Sequence, residues 1–170
     1  MKHSRRTVAL AALGALLPAA AGAGPKPAVI TLVDLRGTMK RRQGRPLLLH
    51  VWASWCAPCV HELPLVATLL REARARGIEV RSLSLDEPSE RATARMVRVL
   101  DERGGEAIDR TILRLDDPDA VVAQVDPGWA GEIPAFFIYD RAGKLRRSHV
   151  GEMTRARFEQ LLGDLAPVKK

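Results

Sequence analysis

Leu47-Leu48-Leu49-His50-Val51-Trp52-Ala53-Ser54-Trp55-Cys56-Ala57-Pro58-Cys59 is the stretch on which the rest of the chain turns. Pro46 to Ala53 is a nearly unbroken apolar run of strand length, the pattern of a strand covered on both faces of a sheet. From Cys56 to Arg76 the spacing changes: Leu63, Ala67 and Leu70 recur at helical intervals, basic residues gather at the end, and Gly77 stops the run. A buried central strand thus feeds into a helix of about five turns. Pro64, inside that helix, is expected to remove one backbone hydrogen bond and kink it.

The chain has only two cysteines, and they flank the Ala57-Pro58 pair at the strand-helix junction. Two thiols so spaced can close a small disulfide and reopen it. The helix N-terminus offers partial positive charge to the first, which makes Cys56 the attacking thiolate and Cys59, one turn inside, the resolving thiol. A purely structural disulfide would close too short a loop to add much stability. A zinc site needs about four ligands, and only His61 is near in sequence.

Outward from this junction, Ile78 to Leu85 reads as the next strand and Ser89 to Arg103 as a helix with Ala92, Met96, Val99 and Leu100 on its core stripe. Thr111 to Leu115 reads as a short extended piece and Asp119 to Val125 as a short helix. Ala135 to Tyr139 and Lys144 to Val150 form a hairpin about the turn Asp140 to Gly143, and Thr154 to Leu165 is the closing helix. On the N-terminal side, Ala28 to Val33 reads as extended and Thr38 to Gly44 as a basic turn. The order predicts an α/β fold with a mixed sheet between helices.

The first residues, Lys2-His3-Ser4-Arg5-Arg6 followed by an Ala- and Leu-rich run to Pro25, have the layout of a signal peptide over 1–23. An uncleaved membrane anchor is the competing reading, weakened by Gly14, Pro18 and the Ala-rich composition. Ser4-Arg5-Arg6 resembles a twin-arginine export signal. Residues 24–170 then form one domain, large enough to bury roughly 70% of its unfolded surface without staples. Formal charge is +7, but removal of Lys2, Arg5 and Arg6 leaves 24 basic against 20 acidic residues. The bases are scattered among acids and apolar residues, which argues against nucleic acid as a partner.

Trp52 to Cys59 resembles the active-site stretch of thioredoxins, and specifically of their exported TlpA/ResA-like relatives. Pro64 falls where thioredoxins kink the active-site helix, Ile133-Pro134 is similar to their cis-proline motif, and Val150-Gly151 to the pair ending their final strand. The resemblance implies a thioredoxin fold with extra N-terminal strands, a monomer, and no cofactor beyond the redox-active disulfide. It implies that the loop of Ile133 and Pro134 faces the dithiol and that the Ile133 backbone pairs with an incoming client chain. Ala57, Pro58 and the exposed apolar rim expected at Trp55 complete the substrate-binding surface. Glu62 matches a glutamate that these relatives place by the dithiol, one turn from Cys59. His50 stands where cytoplasmic thioredoxins carry a buried Asp, either as a proton shuttle for Cys59 or as a hydrogen-bonded strand histidine. Trp52 and Phe136 are expected in the core, and His61 and His149 at the surface.

The implied activity is reduction of protein disulfides in the periplasm, with a membrane dithiol carrier of the DsbD/CcdA type as electron donor. Clients in such families include apocytochrome c and copper-site assembly proteins. The alternative is a periplasmic copper chaperone holding Cu(I) between Cys56 and Cys59. Peroxiredoxins share the fold, but Leu49 and Ala53 occupy the Pro and Thr positions of their Pro-x-x-x-Thr-x-x-Cys pattern.

Overall fold

In a computed structural model, residues 26–41 and 44–165 are described; the expected signal peptide lies outside them. The stretch around the dithiol becomes β2 (Leu47–Trp52) and α2 (Ala57–Ala75). Every residue of β2 is buried because helices cover both faces of the sheet. Leu48 and Trp52 pack with Leu63, Val66 and Leu70 of α2, Met96 and Leu100 of α3 (Glu90–Glu102), and Phe158 of α5 (Arg155–Leu162). Leu47, Leu49 and Val51 point the other way, with Leu35 of α1 (Leu32–Lys40) and Val121 and Val125 of α4 (Pro118–Val125). The strict alternation is the period-two signature of a strand.

The remaining strands are β1 (Ala28–Ile30), β3 (Glu79–Ser84), β4 (Thr111–Leu113), β5 (Ala135–Tyr139) and β6 (Leu145–Val150), in the sheet order β1-β4-β3-β2-β5-β6. From β1 to β2 the neighbours run parallel, and β5 and β6 are antiparallel. The sheet is therefore mixed. Its parallel strands all carry their C-terminal ends toward the dithiol, the end where ligands and chemistry gather in open α/β sheets.

One N-terminal expectation is corrected. Ala28 to Val33 is extended only as far as Ile30, and Thr38 to Lys40, at the start of the stretch read as a basic turn, form the last turn of α1, with Arg41 as its C-cap. Thr31 caps this helix: its hydroxyl accepts the Asp34 N–H while the Asp34 carboxylate accepts the Thr31 N–H at 2.9 Å. This is a capping box closed by Asp where Glu or Gln is usual. The N-terminal addition among the described residues is thus one strand and a helix. At the other end, α5 stops at Leu162 and a 3₁₀ turn (Gly163–Leu165) follows.

Candidate active site

Between β2 and α2 the chain turns sharply, with Cys56 N–H donating to the Ala53 carbonyl at 3.2 Å. A buried carboxylate holds the turn. Asp86 is 1% exposed and accepts from Ser54 N–H at 2.8 Å, Ser54 Oγ at 2.7 Å, Ser84 Oγ at 2.6 Å and Arg95 Nη2 at 2.9 Å. Arg95 Nε also donates to Ser54 Oγ at 2.8 Å. Burial opposes ionisation of Asp86, but the donors from Ser84, Ser54 and Arg95 outweigh it and hold the carboxyl below its ordinary value. The segment entering the dithiol is therefore tied to β3 and α3 by a fully paired charge.

Cys56 is the N-cap of α2, and Cys56 and Cys59 are joined as a disulfide. Cys59 N–H points at Cys56 Sγ at 3.3 Å. No acidic residue lies in the first turn of α2, so the positive end of the helix is left for the sulfur. Once the disulfide opens, that end and that amide favour a Cys56 thiolate. Cys59 is more deeply buried, 1% against 6% exposed. Ala57, Pro58 and Trp55 are exposed around the pair, Trp55 at 58%.

Opposite stands the Ile133–Pro134 peptide, which is cis. The Ile133 carbonyl oxygen lies 3.7 Å from Cys56 Sγ. Trp129 braces this loop: its indole N–H donates to the Glu132 carbonyl at 2.8 Å and its ring meets Phe137 edge-on at 5.2 Å. Trp129 is buried.

Glu62 is buried on α2 one turn beyond Cys59. Its Oε2 accepts the Met153 N–H at 2.6 Å, while Oε1 has no partner. Burial pushes its carboxyl up to about 7, the Met153 N–H pulls the other way, and the charge of Glu152 adds to the rise. Glu62 can therefore hold or release a proton near neutral pH.

His50 behaves differently. It is 1% exposed, its Nδ1 lies 3.1 Å from Ser82 Oγ, and its ring stacks on Phe136 at 4.8 Å. Burial pushes its protonation down to about 3. A ring so reluctant to charge is a poor proton acceptor for a thiol near pH 7. Of the two expectations for His50, these contacts favour the hydrogen-bonded strand histidine over the shuttle. His61 is exposed and His149 half-buried, while Trp52 and Phe136 are fully buried.

The structure thus gathers Cys56, Cys59, Trp55, Ala57, Pro58, Ile133 and Pro134 around one disulfide. Sequence reasoning missed Ser54, Asp86, Arg95, Trp129 and Met153. Among the described residues no group of three or more His, Cys, Asp or Glu side chains is placed to hold a metal ion.

A dithiol at a strand-helix junction, faced by a proline loop on a mixed sheet, defines a thiol-disulfide oxidoreductase of the thioredoxin fold. The chain belongs to the AhpC/TSA family, which matches residues 30–148. It is 27% identical over 139 residues to the thiol-disulfide oxidoreductase ResA of a Bacillus cereus strain, covering 80% of this chain and 74% of that one. The ResA of Geobacillus kaustophilus is 26% identical over 140 residues, with the same two coverages. Among solved structures, a putative thiol:disulfide interchange protein DsbE from Chlorobium tepidum aligns with a TM-score of 0.53 at 25% identity, over 72% of this chain and 79% of that one. StoA from Bacillus subtilis aligns with a TM-score of 0.53 at 19% identity, over 71% and 84%.

Proposed function

We propose that this oxidoreductase works as a reductase of protein disulfides outside the cytoplasm. The observation that carries the reading is the asymmetry of the pair: Cys56 caps the helix beside the Ile133 carbonyl and the exposed Trp55, while Cys59 is buried behind it. The Cys56 thiolate attacks one sulfur of a client disulfide. A mixed disulfide forms, and the first client sulfur leaves as a thiolate that takes a proton. Cys59 then loses its proton and attacks Cys56 Sγ, releasing the second client thiol and closing the Cys56–Cys59 disulfide. Two electrons pass to the client. Glu62, whose unpartnered Oε1 is one turn away and whose carboxyl titrates at about 7, receives the Cys59 proton directly or through water.

Each turnover leaves the protein oxidised, so a dithiol donor must reduce it again. A membrane dithiol carrier of the DsbD/CcdA type fits that need in an oxidising compartment, where the signal-peptide layout of 1–23 would deliver the chain. Apocytochrome c and copper-site assembly proteins are the client classes this reading favours, with the protein acting as a monomer. An insulin-reduction assay with the dithiothreitol-reduced protein tests the direction. Precipitation of the freed insulin chains is expected. No reduction, together with a potential near the roughly −120 mV of a strong oxidant, would reverse it.

A further inference from the structure

The two ends of the sheet differ in charge. Trp55 forms one wall of a cleft of about 510 Å³ completed by the loops after β3 and β4. Its floor is apolar, with Leu85, Leu113 and Leu115, and its rim carries Glu87 and Asp116 against a single base, Arg114. Asp86 also lines it, but its charge is matched by Arg95. On the other side of the disulfide, exposed Glu132 immediately precedes Ile133. Glu87, Asp116 and Glu132 are all exposed and make no ion pair among the described residues. At the opposite end of β2, a cavity of about 690 Å³ is lined by Arg36, Lys40 and Arg141 with no acid.

From this arrangement we propose that the dithiol face selects disulfides carried on cationic polypeptide. The inference rests on the reductase reading and adds its substrate class. A client chain paired along Ile133 seats an apolar residue beside its cysteine on Trp55 and Leu115. Lysine or arginine side chains flanking that cysteine then meet Glu87 and Asp116 on one side and Glu132 on the other. The basic far end repels the same client, so the protein's own field turns the dithiol toward it. Exposed rim charges act mainly on the association rate and are screened beyond about 8 Å at physiological salt. The expected effect is a selectivity in kcat/KM of about tenfold at low ionic strength.

The test uses the reduced full chain and three disulfide-linked fluorogenic peptides identical except for flanking Arg-Arg, Ser-Ser or Glu-Glu. Each protein's rate is normalised to its own rate with hydroxyethyl disulfide, which is small and neutral. Arg-flanked peptide should exceed Glu-flanked peptide about tenfold at roughly 20 mM salt, and by no more than about twofold at roughly 1 M. The reversal Glu87→Lys, Asp116→Lys, Glu132→Lys should abolish or invert the preference. Should that variant not fold, the single Glu132→Lys and the salt series on the unmodified protein carry the same comparison. A ratio near one at low salt, or one indifferent to charge reversal, in a protein that still reduces hydroxyethyl disulfide would overturn the inference alone. Failure to reduce any of the disulfides would overturn the reductase reading, and the inference with it.

Discussion

Replacing Glu62 with Gln separates the proton of the buried carboxyl from its packing. Gln keeps the shape and can still accept the Met153 N–H, but it cannot ionise. The Glu62 carboxyl titrates at about 7 in the fold against 4.5 in an open chain. Its proton is thus held more tightly in the fold by roughly 3 kcal/mol, an upper bound. Because the folded value is raised, the folded state binds the extra proton between those two pH values, and stability falls as pH rises from about 4.5 to about 7. Urea denaturation of the oxidised protein reads this without interference from thiols. The Gln variant should match the parent near pH 4 and exceed it by up to about 3 kcal/mol at about pH 8. His50 titrates in both proteins and cancels in the difference. A difference that does not change with pH would refute the buried, proton-holding Glu62, and with it the carboxyl as acceptor for Cys59.

Asp86→Asn should destabilise the fold by about 2–4 kcal/mol in the same assay, because the amide turns donors toward donors; Arg95→Met should cost about 1–3 kcal/mol, because it leaves the buried Asp86 charge with only its serine and backbone donors. Trp129→Phe keeps a ring against Phe137 but loses the N–H to the Glu132 carbonyl, so about 1–2 kcal/mol of stability should go and KM for a disulfide peptide should rise more than kcat falls. His50 should show no imidazole titration by NMR between about pH 5 and 8. Because its folded value is depressed, it contributes no destabilisation above pH 6.5, and stability is lost as pH falls from there toward about 3.

The strand, dithiol and helix around Cys56 were legible because their signals are local: an apolar run, a change of period and two cysteines one helical turn apart. The short helix α1 was not read because Asp34 closes its capping box in place of Glu or Gln, and Gly37 interrupts its helical pattern. The Asp86 clamp leaves no trace in a sequence window. Ser54 meets its carboxylate across 32 residues, and Met153 reaches Glu62 across 91. Such partners exist only after β3 lies beside β2 and the loop after β6 closes over α2. Burial decided His50 in the same way: its place in an apolar strand was visible, but the full desolvation that keeps it neutral comes from Phe136 and the helices packed over the sheet.

The ordered roles of the two cysteines are tested most directly by trapping. Cys59→Ser and Cys56→Ser proteins are each mixed with a disulfide peptide, and covalent adducts are counted by mass spectrometry. Cys59→Ser should accumulate the adduct on Cys56, since nothing remains to resolve it, and Cys56→Ser should form almost none. Equal trapping by both variants, or trapping through Cys59 alone, would contradict the assignment of Cys56 as the attacking sulfur.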